Sequence, residues 1–406
     1  MCEKININGY NILYIKNNKN ITEIQTFVNV GSIHEETEES GVAHLLEHIL
    51  LDSWGACKNN CTEYWSYKGI NSNGHTMSCV TTYFIFGSSE NNEDLYEYMA
   101  SIMTNPSFTE KTFEASKAAV LDELLIQLND PLTETKNVLF RSFNDNVLNN
   151  FKYILDYKLK IDVLKKITLE QVIKFYNKWY TSNRINYTIV TNDNKSKVTK
   201  IMTKFLVKRE IDNHDNIIHL SIGIPKSLVN RKTASKTTFM ISYIYNDPHP
   251  YDYLYAGLIY DMLVGDVSSI MYKELRDKLH LVYGVKLYFE FMKTCIMSVF
   301  EASCQIQNSS KLHHHFFETM KMFLTSKFSD NIFKRSKERI LLFYENENKE
   351  NTSYLGNFYT TQYLNTENIN LSPLDTIKKI NKISKKDLIA IANKMFKEYV
   401  IVCETR

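Results

Sequence analysis

The sequence predicts an α+β protein built from two similar units, each a mainly antiparallel β-sheet packed with α-helices. Three observations carry this. Segments rich in β-branched and aromatic residues alternate with helical stretches. The order of these segments repeats in the two halves of the chain. Both halves also end alike, with a helix preceded by Ile167-Thr168 or Ile383-Ser384 and then a strand.

Taken in order, 12–15 and 24–30 have strand composition, with Gly31 as a stop. A helix around His44 follows, then a strand over 79–86. Helical stretches cover 92–104, 109–129, 134–148 and 169–179, and the strand 187–190 closes the first half. Residues 191–235 are polar and rich in Lys and Asn, which reads as an exposed connection. The expected division is 1–205 and 236–406 as units, with 206–235 between them. The second half begins with a strand over 237–245, helices over 250–264 and 268–279, and strand formers over 281–304. Helices over 308–326, 330–347, 351–364 and 385–396 precede a last strand, 399–402.

A chain of 406 residues suggests two to three domains and enough core to fold without staples. A net charge of +2 implies no polyanion, so nucleic acid is not expected as a partner. No apolar run reaches membrane-spanning length, and the N-terminus lacks the apolar stretch of a signal peptide. The expected location is therefore cytoplasmic. The seven scattered cysteines then read mainly as core-fillers in a reducing compartment. Cys57 and Cys61, four apart, could form a metal or redox pair, but no second pair accompanies them. His313-His314-His315 cannot all hold one ion from consecutive helical positions, so a solvated face is expected.

Residues 44–48 read His-Leu-Leu-Glu-His, an H-x-x-E-H run that is the inverzincin signature. Positions four apart share a helix face, so His44 and His48 can present two imidazoles to one ion. Glu47 reaches the same side. Two nitrogens and an adjacent carboxylate suit a catalytic Zn²⁺, one per chain, that keeps a position open. Ser40 can cap this helix, and Leu45, Leu46, Ile49, Leu50 and Leu51 make it a buried one. Two histidines and a glutamate inside such a helix need a partner, and a metal supplies it.

Two histidines leave the ion one protein ligand short. The helix 109–129 carries adjacent Asp122 and Glu123. At about 100° per residue, Asp122 falls near Lys111 and Asn129, on a polar edge. Glu123 falls among Ser116, Ala119, Val120 and Ile126, with Leu121, Leu125 and Leu128 opposite. Glu123 is thus the carboxylate expected to face inward and to complete the metal set.

With these residues in hand, the chain resembles the pitrilysin-type zinc metallopeptidases, the superfamily of insulin-degrading enzyme and mitochondrial processing peptidase. Gly31-Ser32-Ile33-His34-Glu35 and Gly41-Val42-Ala43 are similar to the family's G-S-x-x-E … G-x-A-H lead-in. Glu123 follows His48 with 74 residues between, and Asn129-Asp130-Pro131 ends its helix as the family's D-x-P or D-P does. Gly69 to Thr76 resembles the G-G-x-x-N-A-x-T edge strand, in which the asparagine matching Asn73 contacts substrate backbone. Residues 263–269 and 275–284 resemble G-G-x-x-S-R-L … L-R-E-K-x-G-L-x-Y-S, whose Arg and Tyr map onto Arg276 and Tyr283. The resemblance covers nearly the whole chain. It implies two halves closing as a clamshell, with Arg276 and Tyr283 reaching the zinc site of the first half.

The roles implied are a zinc-dependent endopeptidase acting on peptides or unfolded segments, leader-peptide processing included. His44, His48 and Glu123 hold zinc, Glu47 is general base, and Arg276 and Tyr283 steady the oxyanion and the substrate. Substrate adds as a strand along 71–76. Three departures stand out. The second glutamate expected seven residues before Glu123 is Ser116, which leaves Glu114 or nothing in that role. Gly74 replaces an alanine and Ile70 a glycine, both expected to be mild. The length matches half-size members, so a homodimer or a heterodimer with a homologous subunit is expected. The rival reading is a non-catalytic clamshell binder or scaffold subunit, but such subunits usually lose one of the four zinc-site residues and this chain keeps all four. A structural zinc site would need a fourth ligand, usually cysteine, and none lies beside the motif.

Overall fold

The computed structural model describes residues 2–57, 60–130, 133, 135–136, 156–210, 226–230, 236–292, 294–346, 351–397 and 399–405. Two sheets organise them. The first holds β1 (Cys2–Ile7), β2 (Tyr10–Lys16), β3 (Ile21–Val28), β4 (Asn71–Thr76), β5 (Thr81–Ser88) and β6 (Ile185–Thr191), in the order β1-β2-β6-β3-β5-β4. The second holds β7 (Lys226–Asn230), β8 (Lys236–Asn246), β9 (Val285–Phe291), β10 (Cys295–Gln305) and β11 (Tyr399–Thr405), in the order β7-β11-β8-β10-β9. In each sheet the last strand of the half lies parallel to an early strand and antiparallel to the next. The runs β2-β6-β3-β5-β4 and β7-β11-β8-β10-β9 therefore match strand for strand, and the repeat read from the sequence is a repeat of topology.

The first half adds α1 (Val42–Leu51), α2 (Cys61–Tyr67), α3 (Asn92–Thr104), α4 (Glu110–Asn129), α5 (Tyr157–Leu164), α6 (Leu169–Trp179) and α7 (Lys195–Phe205). The second adds α8 (Asp252–Val264), α9 (Ser309–Leu324), α10 (Asp330–Asn346), α11 (Thr352–Thr366), α12 (Pro373–Lys382) and α13 (Lys385–Met395), with a π-helical turn at Tyr272–Lys278. The matched endings have a local cause. Thr168 and Ser384 are the N-caps of α6 and α13, and each exchanges hydrogen bonds with the third helical residue, Gln171 or Asp387.

Most predicted elements stand within a few residues of their expected ends. The expected helix 134–148 falls mostly outside the described residues. The exposed connection over 191–235 is corrected at two places. Lys195–Phe205 is α7, whose Val198, Ile201 and Met202 are buried in the first core, because apolar residues spaced three and four apart make one face among the lysines. Residues 226–230 are β7, paired in parallel with β11. The helices α2, α5 and α12 were not read from the sequence, being short and weakly patterned.

One element crosses between the halves. Helix α11 lies on the first sheet, where Tyr354, Leu355, Phe358, Tyr359 and Tyr363 pack against Leu13, Ile15, Phe27 and Val190. Polar bonds fix its register. Asn17 Nδ2 donates to Thr352 Oγ1 at 2.6 Å and Gln25 Nε2 to Asn357 Oδ1 at 2.9 Å, while Thr188 and Thr360 hydroxyls meet at 2.7 Å. The other face of that sheet carries α1 and α3 and the main core, and this is where the candidate site sits.

Candidate active site

The H-x-x-E-H run occupies the middle of α1. Leu45, Leu46, Ile49 and Leu50 are fully buried and hold the helix in the core. Its start is set by Glu35 and not by Ser40. The Glu35 carboxylate accepts the N–H of Gly41 at 2.8 Å and of Ala43 at 2.9 Å, satisfying donors that a helix N-terminus leaves free. Gly41 precedes the helix at φ +94°, a conformation that favours glycine. The Ser40 hydroxyl is buried and makes no hydrogen bond among the described residues, so the expected serine cap is wrong. Burial pushes the Glu35 carboxyl up to about 7, against the pull of Lys160 and the two amides.

The structure brings His44, His48 and Glu123 together. His44 Nε2 stands 3.4 Å from Glu123 Oε2, and His48 Nε2 stands 3.6 Å from Glu123 Oε1. One ligand atom from each residue lies within 4.8 Å of the other two. Four ligands about 2.05 Å from a tetrahedral zinc are separated by roughly 3.3 Å, so these spacings fit such an ion. Burial lowers the His44 imidazole to about 3 and lowers His48 as well, despite the nearby Glu123. Both rings are therefore neutral near pH 7 and offer lone pairs, and the contacts with Glu123 are a converging donor set, not ion pairs. Among the described residues no other group of three such side chains converges in this way.

The structure places Glu123 beside the two histidines, for a reason other than the inward face read from the sequence. The Glu123 side chain is 50% exposed and meets the two histidines of α1 outside the core, which α4 meets through Phe113, Ser116, Val120 and Leu124. Leu125 and Leu128, expected as a second buried face, are exposed. Ser116 is buried in that core-facing stripe, and Glu114 is exposed with no hydrogen bond or ion pair to the triad.

Glu47 is buried and turned toward β4, where its Oε2 accepts the Thr76 hydroxyl at 2.9 Å. Burial raises its carboxyl to about 7, Thr76 pulls it down, and the charge of Glu123 pushes it up. Gly74 is not a mild departure in this geometry. A Cβ there would lie 2.6 Å from Glu47 Oε1 and 2.9 Å from its carboxyl carbon. The missing methyl is the space that the carboxyl occupies. Sequence reasoning missed Thr76 as a partner of Glu47. Strand alternation could have found it, since positions 72, 74 and 76 share the less exposed face of β4.

Among the described residues β4 is the edge of its sheet, bonded to β5 on one side. Asn73 lies on its exposed face, away from Glu47, and its Oδ1 accepts the Gly74 N–H at 2.8 Å. Arg276 and Tyr283 are brought to each other, with the guanidinium carbon 4.9 Å from the Tyr283 ring centre and 5.3 Å from that of Tyr272. Tyr283 is 85% exposed. Neither residue bonds to the triad or to Glu47 among the described residues. His313 and His314 are exposed on α9, the solvated face expected of that run.

Comparison with known proteins agrees with this layout. Residues 11–150 match the family model "Insulinase (Peptidase family M16)", and 166–340 match "Peptidase M16 inactive domain". All four residues of the H-x-x-E-H and Glu123 set lie in the first match. An "uncharacterized zinc protease" of Rickettsia felis is 21% identical over 398 residues, covering 95% of this chain and 92% of its own length. A "probable zinc protease PqqL" of Haemophilus influenzae is 24% identical over 55% of this chain, which spans only 25% of that protein. The crystal structure of a protease from Helicobacter pylori superposes with a TM-score of 0.84 at 18% identity, covering 100% of this chain and 99% of that one. No helix among the described residues is long and apolar enough to cross a membrane. From the metal-ligand spacing in the first half to the repeated sheet in the second, the chain belongs to the peptidase family M16, as a two-domain clamshell member.

Proposed function

We propose that this chain is a zinc-dependent endopeptidase that cleaves peptides or unfolded segments. One observation carries the reading. A three-atom donor set with zinc-like spacing stands next to a buried glutamate whose carboxyl is raised to about 7. His44, His48 and Glu123 would hold the ion. When bound, zinc supplies a positive charge that polarises the scissile carbonyl and acidifies the attacking water. Glu47 takes the proton of that water and returns it to the leaving amine, a task for which a pKa near working pH is suited. Thr76 holds the Glu47 carboxyl in one position through its hydroxyl. The substrate backbone adds to the free edge of β4, with Asn73 on its exposed side, so affinity comes from main-chain bonds with little sequence demand. Arg276 and Tyr283 donate to the developing oxyanion and to substrate once the halves close on it. Action as a homodimer or with a homologous subunit belongs to the same reading.

The test is Glu47→Gln. It should retain zinc and lose at least ~10²-fold in turnover of an unstructured peptide, the scale of general-base catalysis. The exposure of Tyr283, with no bond from it or Arg276 to the triad among the described residues, favours a second reading, a clamshell that binds peptides without cutting them. Zinc-loaded wild-type protein that binds peptide and leaves it intact would select that reading.

A further inference from the structure

The cysteine pair beside α1 takes no part in the site described above. Asp52 caps the end of α1, and its Oδ1 accepts the backbone N–H of Cys61 at 2.8 Å and of Thr62 at 3.3 Å, tying α2 to the end of α1. Both cysteines hang on one carbonyl, that of Trp54. It accepts the Cys57 N–H at 3.0 Å and faces the Cys61 Sγ at 3.9 Å. The neighbouring Cys61 side chain draws the Cys57 thiol down, and its own thiol is pushed up. Cys61 is fully buried at the first turn of α2, whereas Cys57 is only partly buried.

This asymmetry separates the pair from the other cysteines. Burial pushes the thiols of Cys2 and Cys295 up to about 12, which makes them inert. Of Cys2, Cys57, Cys61, Cys79 and Cys295, Cys57 is the one whose thiol is shifted down, by the hydrogen bond from Cys61. A metal site is not supported. No third side chain of the required kind converges with the two sulfurs among the described residues, and Asp52 Oδ1 already serves two amides.

We propose that Cys57 and Cys61 are a redox modification site, a dithiol that closes reversibly to a disulfide at the end of the helix bearing His44 and His48. Cys57 is the attacking sulfur and Cys61 the resolving one. The oxidant is a low-molecular-weight disulfide. The Cys57 thiolate attacks one of its sulfurs, the external S–S bond breaks, and one thiolate leaves. Cys61 then loses its proton to solvent and attacks the Cys57 sulfur, expelling the second external thiol. In sum two protein thiols lose two hydrogens, and one external disulfide becomes two thiols.

The experiment uses the full chain with zinc present and glutathione disulfide as probe, followed by alkylation, intact mass and peptide mapping. Wild type should lose two hydrogens, take up two fewer alkyl groups, and yield a Cys57–Cys61 linked peptide that dithiothreitol reopens. Cys61→Ser should instead trap one glutathione, on Cys57. Cys57→Ser should take up none on Cys61. If Cys61→Ser fails to fold, as judged by circular dichroism, Cys61→Ala replaces it, and the wild-type peptide map decides in any case. Wild-type protein in which both sulfurs remain alkylatable, or adducts that gather on other cysteines, would overturn the proposal. None of these readouts requires peptide cleavage, so they stand or fall apart from the endopeptidase reading.

Discussion

Glu35 ties the helix bearing His44 and His48 to a measurable pH dependence. Its carboxyl is buried, accepts the amides of Gly41 and Ala43, and titrates at about 7 against an ordinary 4.5. At 1.36 kcal/mol per pH unit, that rise is worth about 3 kcal/mol. The sign follows from the direction. A raised folded pKa means that the folded chain holds this proton more tightly than the unfolded chain. The stabilisation is full below pH 4.5 and is lost as pH rises towards 7. Glu35→Gln keeps the size and an acceptor but cannot titrate. Urea unfolding of both proteins across pH 4.5 to 8, at fixed zinc, should show the wild type losing about 3 kcal/mol relative to the variant. Other groups in that range, Glu47 included, cancel in the comparison. Parallel curves for the two proteins would refute the assignment. Curves that diverge in the opposite sense would mean that Lys160 and the two amides outweigh burial.

Three further outcomes follow from the geometry. Glu123→Gln should lose most bound zinc with the fold retained, while Asp122→Asn keeps it; metal analysis showing the reverse would move the ligand by one residue. Thr76→Val removes the bond that lowers the Glu47 carboxyl, so the acid limb of the pH–rate profile should move to higher pH with zinc content unchanged. A limb that stays in place would show that another group sets it. Residues 1–205 expressed alone lose α11 and expose Leu13, Ile15, Phe27 and Val190. At ~1.5–3 kcal/mol per side chain the loss is roughly 6–12 kcal/mol, comparable with the whole stability of a domain. That fragment should show no cooperative thermal transition, and a sharp one would mean that the first unit does not depend on the second.

The sequence by itself determined what helix and strand periods control. His44 and His48 meet because they stand four apart in a helix whose leucines bury it, and Glu123 differs from Asp122 by one helical step of direction. The two-fold repeat was legible for the same reason, since short segments announce their own type. Thr168 and Ser384 stand just before their helices in the sequence, and their capping bonds span only three residues. Glu35 reaches six and eight residues forward to Gly41 and Ala43 through an irregular turn, and no period marks that. The cost of a methyl at Gly74 depends on how closely β4 approaches α1, which is a matter of packing. The docking of α11 on the first sheet joins residues as far apart as Gln25 and Asn357, 332 positions along the chain. Contacts at that separation are selected by which apolar faces remain uncovered once each half has formed its own sheet, and only the folded chain decides that.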